Sequence, residues 1–256
     1  MEKPVVYERE GVIGKISLNN PEKSNPLGLE ALKALIAAFR ESEQNGDVCV
    51  IYGAKGKNFT FGADLKDAYE MISNPAMKYN AVADLWSWQE LSNVMLGHPG
   101  IIIVGYHGWV VGGGFEHTLC SDFRIAADDT RIMLPELDMG IFFSNASTKI
   151  LPRLIGEGNA KRLMILGDQI NAEEAFRIGL VTKVCKLEDL DDALMELANR
   201  IALKDPRGLR LAKKVINESE ASSYEDALYR EGFGMFETGS SSEAQKRIGA
   251  FIKKGK

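Results

Sequence analysis

Cysteine and histidine are scarce in this sequence of 256 residues, which contains three of each. Cys49, Cys120 and Cys185 are odd in number, show no paired spacing and stand among apolar neighbours. This pattern predicts buried free thiols in a reducing compartment and argues against a disulfide framework. The histidines have neither a helical i, i+4 pairing nor cysteine partners at a metal-ligand spacing, so neither a zinc nor an iron site is expected.

Long apolar runs and an excess of basic residues are also lacking. No stretch approaches the ~20 apolar residues of a membrane-spanning helix, and the N-terminus lacks the charged and then apolar pattern of a signal peptide. Lys and Arg total 31 against 36 Asp and Glu, and this net charge of −5 argues against a general binder of nucleic-acid phosphates. We therefore expect a cytoplasmic protein that binds neither membranes nor nucleic acid.

Four familiar catalytic or nucleotide-binding motifs are missing as well. The sequence has no Gly-x-Ser-x-Gly elbow and no recognisable cysteine nucleophile, so covalent serine or cysteine catalysis has no support. The glycines at 112–114 form neither a Gly-x-Gly-x-x-Gly fingerprint nor a P-loop. Binding of dinucleotides or nucleoside triphosphates is therefore disfavoured.

The hydrophobic pattern is that of a globular α/β protein. Alternating apolar residues in 5–7 and 12–18 predict a pair of strands, and three- and four-residue spacing predicts a helix from Leu29 that stops near Asn45. Continuous apolar runs at 48–53 and 101–105 are typical of strands buried on both faces. The alternation of helices with such strands favours a mainly parallel sheet.

The pattern changes after residue 186. Four segments with helical periodicity follow, with no further strand, at 190–203, 206–216, 224–236 and 242–252. We therefore predict a core comprising residues 1–186 and a helical oligomerisation region comprising residues 187–256.

One stretch, from Gly105 to Glu116, carries the chemistry. The three consecutive glycines at 112–114 stand between a buried strand and a helical pattern, where free backbone N–H groups favour negative charge. A glycine corner needed only for tight packing would look the same. A second segment, 58–65, resembles another strand-to-helix turn, and a third, 134–140, places Glu136 in an apolar setting. Two carboxylates near an oxyanion hole are what the addition of water beside a thioester carbonyl requires.

These three segments, in this order and spacing, closely resemble the crotonase (enoyl-CoA hydratase/isomerase) superfamily. The resemblance continues through 19–25, 167–175 and 179–181 into the C-terminal helices. It implies an α/β fold, a crotonase-like spiral of ββα units with a C-terminal helical trimerisation region, assembled as a homotrimer or homohexamer. It also implies an enoyl-CoA hydratase that adds water across the α,β double bond of an acyl-CoA thioester, or eliminates water to form that bond.

The resemblance also assigns roles to individual residues. Ala63 and Gly113 would supply the N–H groups of an oxyanion hole. Glu116 would mainly activate water, and Glu136 would mainly deliver the proton to the α-carbon. No metal or redox cofactor is implied, and coenzyme A enters only as part of the substrate. The predicted acyl-CoA contacts are Asp64, Leu65 and Lys66, with Lys23 on the coenzyme A side.

Aromatic residues at several positions depart from many fatty-acyl hydratases. We predict that they line the acyl pocket and favour a planar cyclic or aryl group; they are Phe61, Trp86, Phe142 and Phe143. Other reactions of the superfamily remain open, namely enoyl-CoA isomerisation or hydration with cleavage as in feruloyl-CoA hydratase/lyases. A non-catalytic acyl-CoA-binding or RNA-associated scaffold is the alternative from another class.

Overall fold

Two β-sheets form the centre of the fold in the computed structural model, which describes residues 3–254. The strands within this range are β1 (Val5–Glu10), β2 (Ile13–Leu18), β3 (Cys49–Ala54), β4 (Ile101–Tyr106), β5 (Trp109–Val111), β6 (Phe123–Ala127), β7 (Arg131–Met133), β8 (Ile170–Asn171) and β9 (Lys183–Cys185). The larger sheet has the order β1-β2-β3-β4-β6-β9, and the smaller has the order β5-β7-β8.

Helices surround these sheets and make up the C-terminal part. Their bounds are α1 (Leu29–Gln44), α2 (Leu65–Ser73), α3 (Lys78–Gly97), α4 (Gly113–Glu116), α5 (Ser147–Ile155), α6 (Glu157–Leu166), α7 (Ala172–Arg177), α8 (Leu190–Ala202), α9 (Pro206–Glu218), α10 (Tyr224–Gly239) and α11 (Ser242–Lys254). Short 3-10 turns connect several of them, including His117–Cys120 after α4 and Leu137–Met139 before α5.

The larger sheet begins as an antiparallel hairpin and continues in parallel. β1 pairs with β2 across a turn in which Gly11 has a φ of 62°, and each strand from β2 to β9 in the sheet order then runs parallel to its neighbour. All six residues of β4 are buried, because helices cover both faces. The predicted strand pair and both predicted inner strands are therefore confirmed, although β3 is only partly buried at Ile51, Gly53 and Ala54.

The smaller sheet places the glycine loop. β5 follows β4 after only two residues, pairs in parallel with β7, and leads directly into α4. β6 and β7 repeat this sequence of two strands before α5. Such strand pairs followed by helices agree with the expected ββα spiral.

Two hydrophobic layers lie on opposite faces of the larger sheet. One contains Leu32, Leu35 and Phe39 of α1, which pack with Leu91 of α3. The other contains Leu194 and its neighbours in α8, which pack on Ile103 and other strand residues. Helix α8 thus contributes to the core packing, although it lies beyond the predicted boundary at residue 186, which stays a prediction.

The helices largely agree with expectation, with two local corrections. The four predicted C-terminal helices are confirmed as α8 to α11. The helical pattern after the glycines yields only a four-residue α-helix, because the Thr118 hydroxyl bonds the Phe115 carbonyl at 2.6 Å and competes with helix continuation. Cys49 and Cys120 are buried free thiols, but Cys185 is only half-buried, near the edge of the sheet on β9. No helix within residues 3–254 is both long and apolar enough to cross a membrane.

Candidate active site

The glycine loop is shaped around a carboxylate. Gly112 has φ 57° and ψ −136°, a backbone conformation that residues with side chains rarely adopt. A Cβ atom at this position would lie 2.8 Å from Oε1 of Glu136. The Gly112 amide donates to the Met133 carbonyl of β7 at 3.0 Å. The absence of a side chain therefore lets the loop pass directly over Glu136.

The segment containing Ala63 lies against this loop. A Cβ atom on Gly114 would come within 3.0 Å of the Gly62 Cα atom, so the two segments touch through their backbones. Within residues 3–254, no hydrogen-bond acceptor is paired with the amide of Ala63 or with that of Gly113. Two unpaired N–H donors thus belong to backbone segments that are in direct contact.

A buried asparagine fixes the residues that precede Ala63 by hydrogen bonds. Asn25 is almost fully buried, and its side-chain amide donates to the carbonyls of Asn58 and Phe59 at 3.0 and 3.1 Å. In return, the Thr60 hydroxyl donates to the Asn25 carbonyl at 2.6 Å. Because buried polar groups hold their partners in defined directions, these bonds set the path of the chain up to Ala63.

Glu116 is a buried carboxylate with donors of its own. It is 1% exposed, and Oε2 accepts hydrogen bonds from the Ser147 hydroxyl and from the Ser144 amide, the latter at 3.2 Å. Burial raises the pKa of Glu116, whereas these hydrogen bonds, Ser147 first, act to lower it. The donors favour the ionised form and fix its orientation.

Glu136 has no such support. It is 4% exposed, and among the described residues its Oε2 atom has no hydrogen-bond partner. Burial, and secondarily the charge of Glu116, raise the pKa of Glu136 to about 7. The two carboxyl groups therefore differ in environment, with Glu116 hydrogen-bonded and Glu136 able to exchange a proton near neutral pH.

A cavity of about 290 Å³ joins these groups. Its lining includes both glutamates and both residues with unpaired amides, together with an apolar wall. The wall residues include Ala68, Met71, Ala81, Leu85, Trp88, Ile141 and Phe142. Asp84 also lines the cavity, and burial raises the pKa of its carboxyl group. The cavity can therefore hold a small apolar group between two donors and two proton-transfer groups.

Comparison with known proteins agrees with this geometry. The sequence model described as enoyl-CoA hydratase/isomerase matches residues 8–256. The chain belongs to the enoyl-CoA hydratase/isomerase family. It is 32% identical to the short-chain-enoyl-CoA hydratase of Clostridium acetobutylicum, covering 98% of this chain and 95% of the relative. It is 30% identical to the crotonyl-CoA hydratase of Syntrophomonas wolfei, covering 98% and 96%.

A solved structure supports the same assignment. The crystal structure of an enoyl-CoA hydratase from Bacillus anthracis has a TM-score of 0.91 with 30% identity, covering 98% of this chain and 96% of that one. The resemblance to the crotonase superfamily is thereby confirmed, together with the crotonase-like fold and the expectation of an enzyme of this family.

Five of the predicted site residues meet at the cavity of this family member. Ala63, Gly113, Glu116, Glu136 and Phe142 all contribute to its lining. They come from segments that are far apart in the sequence and are brought together by the two sheets. The four residues predicted to take part in catalysis thus share one small space.

Three predicted aromatic residues lie elsewhere, which corrects the predicted pocket lining. Trp86 is exposed on the opposite side of α3, because two residues along a helix correspond to about 200° of rotation. Phe61 is half-exposed and lies beside the ring of Trp109, with centroids 6.1 Å apart. Phe143 packs against the hydrophobic core. Trp88, two residues after Trp86, lines the cavity instead.

The predicted acyl-CoA contacts lie outside this cavity lining. Lys23, Leu65 and Lys66 are exposed to solvent. The Asp64 carboxylate accepts hydrogen bonds from the amides of Lys66 and Asp67 and thereby caps α2. The cap keeps the start of α2 next to Ala63, so Asp64 has a structural role in the position of the N–H donor.

No local sequence signal marks the partners of Glu116. Ser144 lies in the loop that follows the Glu136 segment, and Ser147 is the first residue of α5; both donate to Glu116 of α4. Serines are common at such positions, and nothing in their spacing indicates a buried carboxylate 31 residues away. Within the described residues, no three His, Cys, Asp or Glu side chains come together in a way that could hold a metal ion.

Proposed function

We propose that this protein is an enoyl-CoA hydratase that acts on short enoyl-CoA thioesters. The single observation that carries the proposal is the cavity in which two unpaired amides, those of Ala63 and Gly113, lie with two unequal carboxyl groups, Glu116 and Glu136. Relatives named short-chain-enoyl-CoA hydratase and crotonyl-CoA hydratase support the same reaction.

The amides would act on the thioester oxygen. Addition of water to the β-carbon places negative charge on this oxygen as the enolate develops. Donors that are already fixed stabilise such charge without reorganisation, and the loss of one typically reduces the rate by about 10²–10³-fold. The N–H groups of Ala63 and Gly113 would form this oxyanion hole.

The two carboxyl groups would divide the proton transfers. Glu116, whose hydrogen bonds favour the anion, would accept a proton from water as the oxygen bonds to the β-carbon. Glu136, whose pKa lies near 7, would donate a proton to the α-carbon as the carbon–carbon double bond becomes single. The hydroxyacyl product thus gains the elements of one water molecule, and the net proton shift from Glu136 to Glu116 is reversed before the next turnover.

The cavity supports a short acyl group. About 290 Å³ lies at the lower end for ligand sites, and Trp88 and Phe142 are part of its wall. A planar cyclic or aryl group, as the sequence suggested, now depends on these two rings alone, since Phe61, Trp86 and Phe143 lie outside the lining. Extended chains would need the wall to open.

The direct test is hydration of crotonyl-CoA, measured as the loss of enoyl-thioester absorbance and confirmed by the mass of the product. Glu116→Gln and Glu136→Gln should each lower kcat by at least about 10²-fold while preserving binding of the thioester. A product of unchanged mass would instead indicate an isomerase, and an aryl enoyl-CoA cleaved to an aldehyde would indicate a lyase. Wild-type turnover by both glutamine variants would refute the proposed mechanism.

We also propose that the C-terminal helices assemble the chain into a trimer or hexamer. Helices α10 and α11 expose large apolar side chains, including Phe236 and Phe251, at 74% and 81%. Symmetric association would remove such faces from water. Sedimentation of the full chain should therefore give trimers or hexamers, and a monomer at every concentration would contradict this.

A further inference from the structure

A buried histidine contacts the backbone of the glycine loop. His117 is fully buried in the 3-10 turn after α4 and is not among the residues that line the cavity. Both of its ring nitrogens have partners. Nδ1 lies 2.9 Å from the Gly113 carbonyl oxygen, and Nε2 lies 3.0 Å from the hydroxyl of Tyr52.

The direction of both hydrogen bonds follows from their chemistry. A carbonyl oxygen can only accept, so Nδ1 must carry a proton and donate to Gly113. Burial lowers the pKa of His117 to about 4, which leaves the ring neutral near pH 7 and Nε2 without a proton. The Tyr52 hydroxyl therefore donates to Nε2. The chain runs from Tyr52 through His117 to the Gly113 carbonyl.

The chain begins at a rigid point of the core. Tyr52 belongs to β3, inside the larger sheet, and is fully buried. Its ring packs edge-on against Phe39 and Phe59, with centroids 5.6 and 5.4 Å away. Because close-packed rings have little freedom to move, the hydroxyl group of Tyr52 has a defined position.

The other end of the chain fixes a residue that has no side chain of its own. The Gly113 carbonyl also accepts the backbone N–H of His117, so it receives two hydrogen bonds. On its Cα side, a Cβ atom would meet the ring of Trp88 at 3.0 Å. Gly113 is thus held at both its carbonyl and its Cα atom, although the run of glycines at 112–114 would otherwise be conformationally free.

We propose that His117 is a positioning residue that fixes the oxyanion donor Gly113 through the buried Tyr52–His117–Gly113 chain. The proposal rests on the proposed function, because Gly113 matters as a donor only if a thioester oxygen is stabilised. A role in proton relay is excluded by the geometry, since the chain ends on an amide carbonyl that takes no proton. His117 acts on the transition state only by holding Gly113.

The test compares two nearly isosteric substitutions, of which only one keeps a donor near the position of Nδ1. His117→Leu should lower kcat by at least about 10-fold with little change in KM, because misplacement of a catalytic group by about 1 Å can reduce the rate by about 10²-fold. His117→Asn, whose amide can still donate to the Gly113 carbonyl, should recover most of this loss. The pH profile of kcat/KM should keep its shape in both variants, since His117 transfers no proton.

A spectroscopic measurement separates positioning from a general effect on the fold. In the slowly reacting Glu116→Gln background, the infrared carbonyl stretch of bound crotonyl-CoA reports polarisation by the oxyanion donors. Adding His117→Leu should return this stretch towards its value for the free thioester, while His117→Asn should leave it lowered. Tyr52→Phe, which keeps the His117–Gly113 bond but frees the ring, should give a smaller change in the same direction.

Two results would overturn the inference. One is wild-type kcat and an unchanged carbonyl stretch in His117→Leu, with hydration still lost in Glu116→Gln, which leaves the proposed function standing. The other, decisive if the leucine variant does not fold, is an unchanged kcat and carbonyl stretch in Tyr52→Phe. Absence of hydration by the unmodified protein would instead refute the proposed function and the inference that depends on it.

Discussion

Ionised Glu136 should destabilise the folded protein, so removing its charge should stabilise the chain while lowering kcat. Its carboxyl group is buried, and its Oε2 atom has no hydrogen-bond partner among the described residues. Its pKa rises from 4.5 to about 7 on folding. Because the folded state holds this proton more tightly than the unfolded state, the free energy of unfolding falls as the pH rises from about 4.5 to 7 and is reduced in full above pH 7.

The magnitude follows from the two pKa values. At about 1.36 kcal/mol for each pH unit, the raised pKa of Glu136 lowers the free energy of unfolding by about 3 kcal/mol near pH 8 and by only about 1 kcal/mol near pH 5, relative to a pH at which both states are protonated. Glu136→Gln keeps the shape of the side chain and cannot ionise. It should therefore raise the free energy of unfolding by up to these amounts, with the larger gain at the higher pH.

Urea denaturation at both pH values, at one fixed protein concentration, measures this difference. The matched control is Glu188→Gln, an exposed glutamate before α8, which should change the free energy of unfolding by less than about 0.5 kcal/mol at either pH. An equal effect of Glu136→Gln at both pH values would refute the reasoning, because the gain must come from a charge that forms between them. A loss of stability in Glu136→Gln that is larger at pH 8 than at pH 5 would also contradict the prediction, because the effect would have the opposite sign.

The other predictions concern the walls of the same site. Gly113→Ala should lower kcat by about 10²-fold without loss of helix content by circular dichroism, since the new Cβ meets Trp88 at 3.0 Å and displaces the donor; near-wild-type kcat would be inconsistent with this. Ser147→Ala removes the hydrogen bond that lowers the pKa of Glu116, so the acidic limb of the kcat/KM profile should move to higher pH, and an unmoved limb would exclude Glu116 as the base. Trp88→Phe should reduce kcat/KM by about 10-fold, whereas Trp86→Phe on the opposite side of α3 should not change it. An equal change in kcat/KM for the two variants would contradict the assignment of Trp88, and not Trp86, to the cavity wall.

The two tryptophans of α3 show what a helical sequence pattern alone does not predict. Trp86 and Trp88 stand in the same apolar segment, and either ring is large enough to form a pocket wall. Only the rotation of α3 against α1 and the glycine loop decides which one meets Gly113. The face of a helix that contacts a ligand depends on its neighbours, so the sequence predicted an aromatic wall but identified the wrong tryptophan.

The sequence by itself determined the parts that depend on local chemistry. Continuous apolar runs predict strands buried on both faces, and Gly112 is needed where the backbone adopts φ 57° and approaches a carboxylate. Glu116, just after the glycines, and Glu136, in an apolar setting, were predicted as site residues from the resemblance of their segments to the crotonase superfamily. These signals lie within a few residues of the groups they describe.

Only the tertiary structure decided how the groups at the site differ from one another. One hydrogen bond to Glu116 comes from Ser147 at the start of α5, 31 residues away, and the Tyr52 hydroxyl reaches His117 across 65 residues. The unequal environments of Glu116 and Glu136, and the fixed carbonyl of Gly113, arise from burial and from these distant donors. Electrostatic and hydrogen-bond energies depend on distances in space, and a linear sequence does not contain those distances until the sheets have brought its segments together.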